Sequence, residues 1–218
     1  MVGTPARATY AWNSISPTVT NAFYDPTNNS INIYPGYISS LIYSADMSDA
    51  DILATIGFVT SHEISHAFDF SASQFNAYGE PNPVFSAEDV DTYVKKTNAL
   101  ADYYSSMEIM PGVNVDGQHV VGEAAADLNG MQATLALAEK TEGFDYERFC
   151  SQYAIVWGVV LNEASFSATL ADTHPLDNLR MNVYAQMFDT MYETLGVKEG
   201  DGMYLAPDKR IIFWGPKA

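Results

Sequence analysis

The stretch Ser48–Phe70, SDADILATIGFVTSHEISHAFDF, decides the fold because it predicts a long buried helix that also carries chemistry. Ser48 can cap the start of this helix, and Asp49 and Asp51 place carboxylates near the positive end of its dipole. No proline interrupts residues 50–70, and apolar side chains recur at three- to four-residue spacing. The sequence therefore predicts a helix whose buried stripe becomes polar towards its C-terminal end.

The polar end of this helix has the spacing of a metal site. His62 and His66 lie four positions apart, so both imidazoles share one helical face and can bind one metal ion. Glu63 lies beside them, near enough to take a proton from a metal-bound water. The alternative is a core helix whose two histidines are only satisfied polar groups. A third ligand and a substrate groove distinguish the two interpretations.

Charge and composition limit the class of protein. The chain of 218 residues has ten basic and 27 acidic residues, which give a net charge of −17. This balance argues against nucleic acid and anionic membranes as partners, because a protein that binds either of them usually does so with many Lys and Arg side chains. It favours neutral or basic peptides, although solubility alone explains it equally well. Hydrophobic residues make up 47% of the chain, as in a globular domain.

The single cysteine bears on the compartment. Cys150 lies in an apolar helical pattern, which predicts that its side chain is buried. Because it is the single cysteine of the sequence, an internal disulfide is excluded. No apolar run reaches the roughly 18 residues that a membrane span requires, and residues 1–15 lack the form of a signal peptide. We therefore expect a cytoplasmic protein. An export signal upstream of residue 1 is the alternative.

The pattern along the rest of the chain predicts a mainly α domain with a small antiparallel sheet, an α+β fold. Two short β-like runs, residues 21–24 and 31–34, flank a strong turn cluster and predict a hairpin. Further helices are predicted at residues 86–107, 122–140, 146–164 and 182–195, with a loop at 111–117 and a terminal strand at 209–214. No linker divides the chain, so residues 1–218 are expected to form one domain.

Acidic residues supply the candidates for a third ligand. The acids that lie about twenty residues past His66 are better explained as helix-capping groups: Glu88, Asp89 and Asp91. Glu123 and Asp127 lie one turn apart amid alanines, and buried acids are costly unless they are paired or metal-bound. We expect Glu123 to bind the metal, with Asp127 accepting a hydrogen bond from a ligand histidine. Asp69 can support His66 in the same way. The alternative is that Glu123 and Asp127 face water.

Five segments in chain order now combine into one pattern: TNAFYDP at 20–26, HEISHAFD at 62–69, GEAAAD at 122–127, HPLDNLR at 174–180 and the segment 200–214. Together they resemble the neprilysin and endothelin-converting-enzyme family of zinc metallopeptidases. The resemblance implies a zincin-like catalytic lobe, the C-terminal part of the family's longer chain.

The resemblance also implies roles for single residues. At the metal it implies one zinc ion per chain on His62, His66 and Glu123, with Glu63 as general base and Asp127 as the supporting acid. Towards the substrate it implies that His174 stabilises the oxyanion, that Arg180 holds a substrate carbonyl, and that Asn21 and Ala22 pair with the peptide backbone. Without the resemblance, His174 is an ordinary loop histidine and Arg180 a surface charge at a helix start.

The chain departs from the family in its sequence and in its length. Residues 70–73 and 83–85 differ from the family's acidic, Trp-bearing loop, so specificity drawn from that loop does not transfer. Family members are also much longer, and their N-terminal helical lobe covers the active site. We therefore expect a catalytic lobe truncated at its N-terminus, whose partners are short peptide substrates and the missing lobe of the same protein.

Other functions remain open. The chief alternative is a catalytically idle, zinc-bound module that only binds peptides. A zinc aminopeptidase is less favoured, because no acidic site for an N-terminal amine is evident. A purely structural zinc site is less favoured again, since it would close four protein ligands and have no use for Glu63.

Overall fold

The computed structural model describes residues 16–38 and 41–215, so the ends of the predicted domain lie outside the described residues. The predicted fold, mostly helical with a small antiparallel sheet, is confirmed, and the described residues contain a second small antiparallel sheet. A two-stranded hairpin is followed by two short helices joined by a π-helical segment. The bounds are β1 Ala22–Asp25, β2 Ser30–Ile33, α1 Asp49–Ile52, the π segment Leu53–Gly57, α2 Phe58–His66, α3 Ala87–Ser105, β3 Glu108–Met110, β4 Val113–Asn114, α4 Gly117–Ala138, α5 Tyr146–Val156, α6 Glu163–Leu170, α7 Asp177–Met187 and α8 Asp189–Leu195.

The predicted cap at the start of the first helix is confirmed. The Ser48 hydroxyl accepts a hydrogen bond from the Asp51 amide, and the Asp51 carboxylate accepts one from the Ser48 amide. The helix then widens into the π segment and returns to α geometry in α2. It ends at His66 and not at Phe70, because the Asp69 carboxylate accepts a hydrogen bond from the Ala72 amide and turns the chain.

The Ala-rich helix α4 packs directly against α2. The side chains of Ala124, Ala125 and Ala126 are buried, and small side chains let the two backbones approach closely. The two backbones come very close at Gly130, where a Cβ atom would lie 2.8 Å from the His62 backbone nitrogen and 2.9 Å from the His62 Cα. The absence of a side chain at position 130 therefore sets the position of His62.

We expect Gly130→Ala to lower the free energy of unfolding by about 1–3 kcal/mol, because overpacking forces the two helices apart. Urea denaturation of the metal-free protein measures this change. Gly122→Ala is the matched control, since it lies in the same helix and its Cβ would meet nothing within 4 Å. The control should be neutral or stabilising by up to about 1 kcal/mol. Equal stability of both variants would show that the contact at Gly130 is not limiting.

Several other predicted elements are confirmed. Strands β1 and β2 pair antiparallel, with Ala22 opposite Ile33 and Asp25 opposite Ser30. Helix α3 begins after Ser86 with the predicted capping box to Asp89. Helix α8 stops at Gly196, whose φ of 66° lies in the left-handed region that glycine favours.

Other boundaries were wrong. Helix α4 begins at Gly117, because the Asp116 side chain caps it by accepting a hydrogen bond from the His119 amide. The helix predicted at 146–164 is two helices, since α5 ends at Val156 and Asn162 caps a new start. The helix predicted at 182–195 likewise divides into α7 and α8, and the loop predicted at 111–117 contains β4.

The strand predicted at 209–214 was also wrong. The chain forms a 3₁₀ turn at Pro207–Lys209 and then an irregular segment with no strand beside it among the described residues. Side chains satisfy its backbone instead of a ladder of strand hydrogen bonds. Lys96 Nζ donates to the Phe213 carbonyl at 2.6 Å, and Gln132 Nε2 donates to the Trp214 carbonyl at 2.7 Å.

Candidate metal centre

Two packed helices and one loop bring the predicted site residues together. Helix α2 carries His62, Glu63 and His66, and α4 places Glu123 opposite them. His174 reaches the same point from the loop that precedes α7. Residues that are far apart in the sequence therefore meet where α2 and α4 cross.

The potential ligand atoms have the spacing of a metal site. Glu123 Oε2 lies 3.3 Å from His62 Nε2 and 3.2 Å from His66 Nε2, and the two nitrogens lie 3.1 Å apart. A tetrahedral zinc ion bound at about 2.0 Å places its ligand atoms about 3.3 Å apart. Glu123 Oε2 is buried and makes no hydrogen bond to any described residue. These residues therefore fit a zinc ion.

A third imidazole reaches the same oxygen. His174 Nε2 lies 3.2 Å from Glu123 Oε2. Burial acts to raise the pKa of Glu123, but the imidazoles, His174 first, outweigh it and hold this pKa below its ordinary value. Asp172 orients the His174 ring, since its Oδ1 lies 2.6 Å from His174 Nδ1 and also accepts a hydrogen bond from the His174 amide. Sequence reasoning missed Asp172. The available signal was that an Asp side chain often accepts a hydrogen bond from the backbone amide two residues further on, in an Asx turn.

Each helix histidine also faces a carboxylate with its second ring nitrogen. Asp127 Oδ1 lies 2.7 Å from His62 Nδ1, and Asp69 Oδ2 lies 3.1 Å from His66 Nδ1. The Asp127 side chain is 0% exposed, which contradicts the alternative that it faces water. This arrangement directs one nitrogen of each ring towards Glu123 and matches the way that ligand histidines are oriented in zinc sites.

Arg180 is buried and paired. Its Nε donates to Asp127 Oδ2 at 2.8 Å, and its Nη2 contacts Asp127 Oδ1. The guanidinium lies 3.9 Å from the centroid of the Trp157 ring, and the residue is only 7% exposed. Burial acts to raise the pKa of Asp127, but Arg180 and then His62 outweigh it and hold this pKa low. The alternative that Arg180 is a surface charge is wrong, and its predicted contact with a substrate stays a prediction.

Glu63 lies beside the ligand cluster that His62, His66 and Glu123 form. One of its carboxylate oxygens lies within 4.8 Å of ring nitrogens of His62 and His66. The residue is buried, and burial raises the pKa of its carboxyl above the ordinary value. A carboxylate with raised basicity beside a metal can serve as a proton acceptor.

A groove of about 340 Å³ opens onto these residues. Four residues at the start of the hairpin also line it: Asn21, Ala22, Phe23 and Tyr24. Strand β1 pairs only with β2 in the described chain, so its other edge is open for an added strand. His119 does not line the groove, and its Nε2 instead lies 3.3 Å from the Ala171 carbonyl oxygen.

Two imidazoles one helical turn apart, a carboxylate from a second helix and an adjoining groove are typical of a metallopeptidase domain. Residues 21–211 match the family model described as Peptidase family M13. The chain belongs to this family. Membership in this family implies zinc as the metal. No helix in residues 16–38 and 41–215 is long and apolar enough to cross a membrane.

Relatives with known names and structures agree with this family. The neutral endopeptidase of Lactococcus lactis is 32% identical over 195 residues, which cover 89% of this chain and 31% of that protein. Human endothelin-converting enzyme 1 is 27% identical over 182 residues, 77% of this chain and 24% of that protein. The crystal structure of PepO from Lactobacillus rhamnosis HN001 is 31% identical with a TM-score of 0.83, over 93% of this chain and 32% of that one. The chain thus spans about a third or less of each of these relatives.

Proposed function

We propose that this chain is the catalytic lobe of a zinc-dependent endopeptidase that hydrolyses short peptides. One zinc ion per chain would be held by His62, His66 and Glu123. The convergence of their ligand atoms to within 3.3 Å of one another, beside an open groove, is the observation that carries the proposal. Neutral endopeptidases among the relatives support the same class of reaction.

When bound, zinc acts as a Lewis acid towards water and the scissile carbonyl. Glu63 accepts the proton of the attacking water and later delivers it to the leaving amine, for which its buried position and raised pKa are suited. His174, held by Asp172, donates a hydrogen bond to the oxyanion. Asp127 and Arg180 fix the orientation of the His62 ring.

The peptide is held by the open edge of β1. An extended peptide can add to this edge as a further strand, with Asn21 and Ala22 supplying backbone contacts beside the ligand cluster. A short peptide bound in this way crosses the groove in front of Glu63. We propose that an N-terminal lobe of the same polypeptide restricts the groove to short substrates and that the protein acts in the cytoplasm.

The alternative function is a peptide-binding module without turnover. It is favoured by one observation, that the groove and the unpaired edge of β1 can hold a peptide whether or not it is cleaved. The fit of Glu63 beside the ligand cluster favours catalysis. Both functions require the metal site, and they differ in whether the bound peptide is cleaved.

We expect the protein to cleave a short quenched fluorogenic peptide, to lose this activity on dialysis against a zinc chelator, and to regain it with stoichiometric zinc. Magnesium is the matched control and should not restore cleavage, because a site of two imidazoles and one carboxylate favours zinc. Zinc-dependent binding without cleavage would support the peptide-binding module. Full cleavage by the metal-free protein would contradict both functions.

A further inference from the structure

A second and larger groove, of about 720 Å³, lies between the outer face of α3 and the C-terminal segment. Apolar side chains form part of its surface, among them Met187, Phe188 and Ile211. Its volume falls within the range of about 300–1,000 Å³ that is usual for ligand-binding clefts. None of its lining residues lines the groove at the metal centre, so the two surfaces are distinct.

The charge of this second groove is opposite to that of the protein. Its lining contains four of the ten Lys and Arg residues of the chain but only two of the 27 acidic residues. The basic side chains are Lys95, Lys96, Lys209 and Arg210, and the acidic ones are Asp189 and Asp208. On a chain with a net charge of −17, this groove is therefore a local positive region. Such a region attracts acidic partners and disfavours basic ones.

Two of the basic side chains hold the groove together. Arg210 pairs with Asp189, and its guanidinium lies 4.2 Å from the centroid of the Tyr192 ring. Lys96 donates a hydrogen bond to the Phe213 carbonyl at 2.6 Å and so fixes the C-terminal segment to α3. These contacts give the groove a defined shape before any ligand binds.

The other two basic side chains are accessible. The Lys95 side chain is 74% exposed and pairs with Asp91 on its own helix, whose side chain is 64% exposed. Exposed pairs of this kind contribute little to stability, so a better placed carboxylate can displace Asp91. Lys209 is exposed on the opposite wall. A positive side chain is thus available on each side of an apolar surface.

We propose that this groove, which we call the basic groove, binds an acidic peptide segment of a partner protein. Carboxylates of the segment contact Lys95 and Lys209, and an apolar side chain packs on Met187, Phe188 and Ile211. Charge complementarity selects this partner, because a basic or neutral segment gains nothing from the two lysines. Binding here does not require zinc or catalysis and stands apart from the proposed peptidase function.

The test measures fluorescence anisotropy of a labelled peptide of alternating glutamate and leucine with the full chain at low salt. We expect saturable binding that weakens as salt is raised. The double variant Lys95→Gln, Lys209→Gln should bind at least about tenfold more weakly. The matched control is Lys140→Gln, Lys198→Gln, which removes the same charge at exposed lysines outside the groove and should bind as the parent does.

Several results would overturn the proposal. Equal weakening in both double variants would show that only net charge matters. Tight binding of the corresponding lysine–leucine peptide would remove the charge selectivity, and no saturable binding would remove the site. Dimerisation in sedimentation experiments that is lost in Lys95→Gln, Lys209→Gln would identify a second copy of the chain as the occupant. Competition by inorganic phosphate as strong as by the acidic peptide would reduce the site to an anion site.

Discussion

The variant Glu123→Ala is expected to lose zinc affinity by more than about a hundredfold. Loss of a group that only supports a ligand already costs about 10–100-fold, and loss of a ligand costs more. Glu123 Oε2 lies 3.2–3.3 Å from three imidazole nitrogens, so its removal takes away the atom on which the cluster converges. Competition with a chromophoric chelator measures the affinity, and elemental analysis measures the zinc content.

The control for this variant is Glu139→Ala. Glu139 is an exposed glutamate at the end of the same helix, so its removal changes the charge equally without touching the site. Circular dichroism of both variants establishes that α4 remains folded. A full zinc content in Glu123→Ala, at the parent's affinity, would exclude Glu123 as the third ligand. His174 would then be the candidate for the third ligand.

The second large effect is expected for Glu63→Gln, which should keep stoichiometric zinc but lose peptide cleavage by about 10²–10⁴-fold. The amide has nearly the same shape as the carboxylate but cannot accept the proton of the attacking water. Because Glu63 is buried, its replacement by a neutral group should not destabilise the fold. The loss should appear in kcat, measured with a fluorogenic peptide and zinc-loaded protein.

Glu147→Gln provides the matched control, since it makes the same chemical change at an exposed position on α5. It should leave both zinc content and cleavage unchanged. Parental activity in Glu63→Gln would rule out Glu63 as the general base. Loss of zinc from this variant would instead make Glu63 a ligand or a structural support. The two outcomes are therefore distinguishable.

The sequence predicted the features that depend on local spacing. The helix with His62 and His66 follows from the cap at Ser48 and from the three- to four-residue period of its apolar side chains. The position of Glu123 follows from the improbability of unpaired acids among buried alanines. The family resemblance added His174, which the structure places 3.2 Å from Glu123. Local pattern and resemblance together therefore located the site.

Features that depend on contacts between distant residues could not be predicted. The close approach of Gly130 to His62 and the pairing of Arg180 with Asp127 arise only when α2, α4 and α7 are assembled. The terminal segment has the composition of a strand, but no strand is available to pair with it among the described residues. In that segment, tertiary contacts outweigh the intrinsic preference of the residues for a strand.

The π segment Leu53–Gly57 determines the direction in which the side chains of α2 point relative to the start of the helix. A wide turn accommodates one more residue than an α turn, and each residue of an α-helix advances the chain by about 100°. If this turn closed to regular α geometry, the imidazoles of α2 would rotate by about a quarter of a circle relative to the Ser48 cap. They would then point away from Glu123. One irregular turn, which contributes no side chain to the ligand cluster, thus aligns the helix face that carries both histidines with α4.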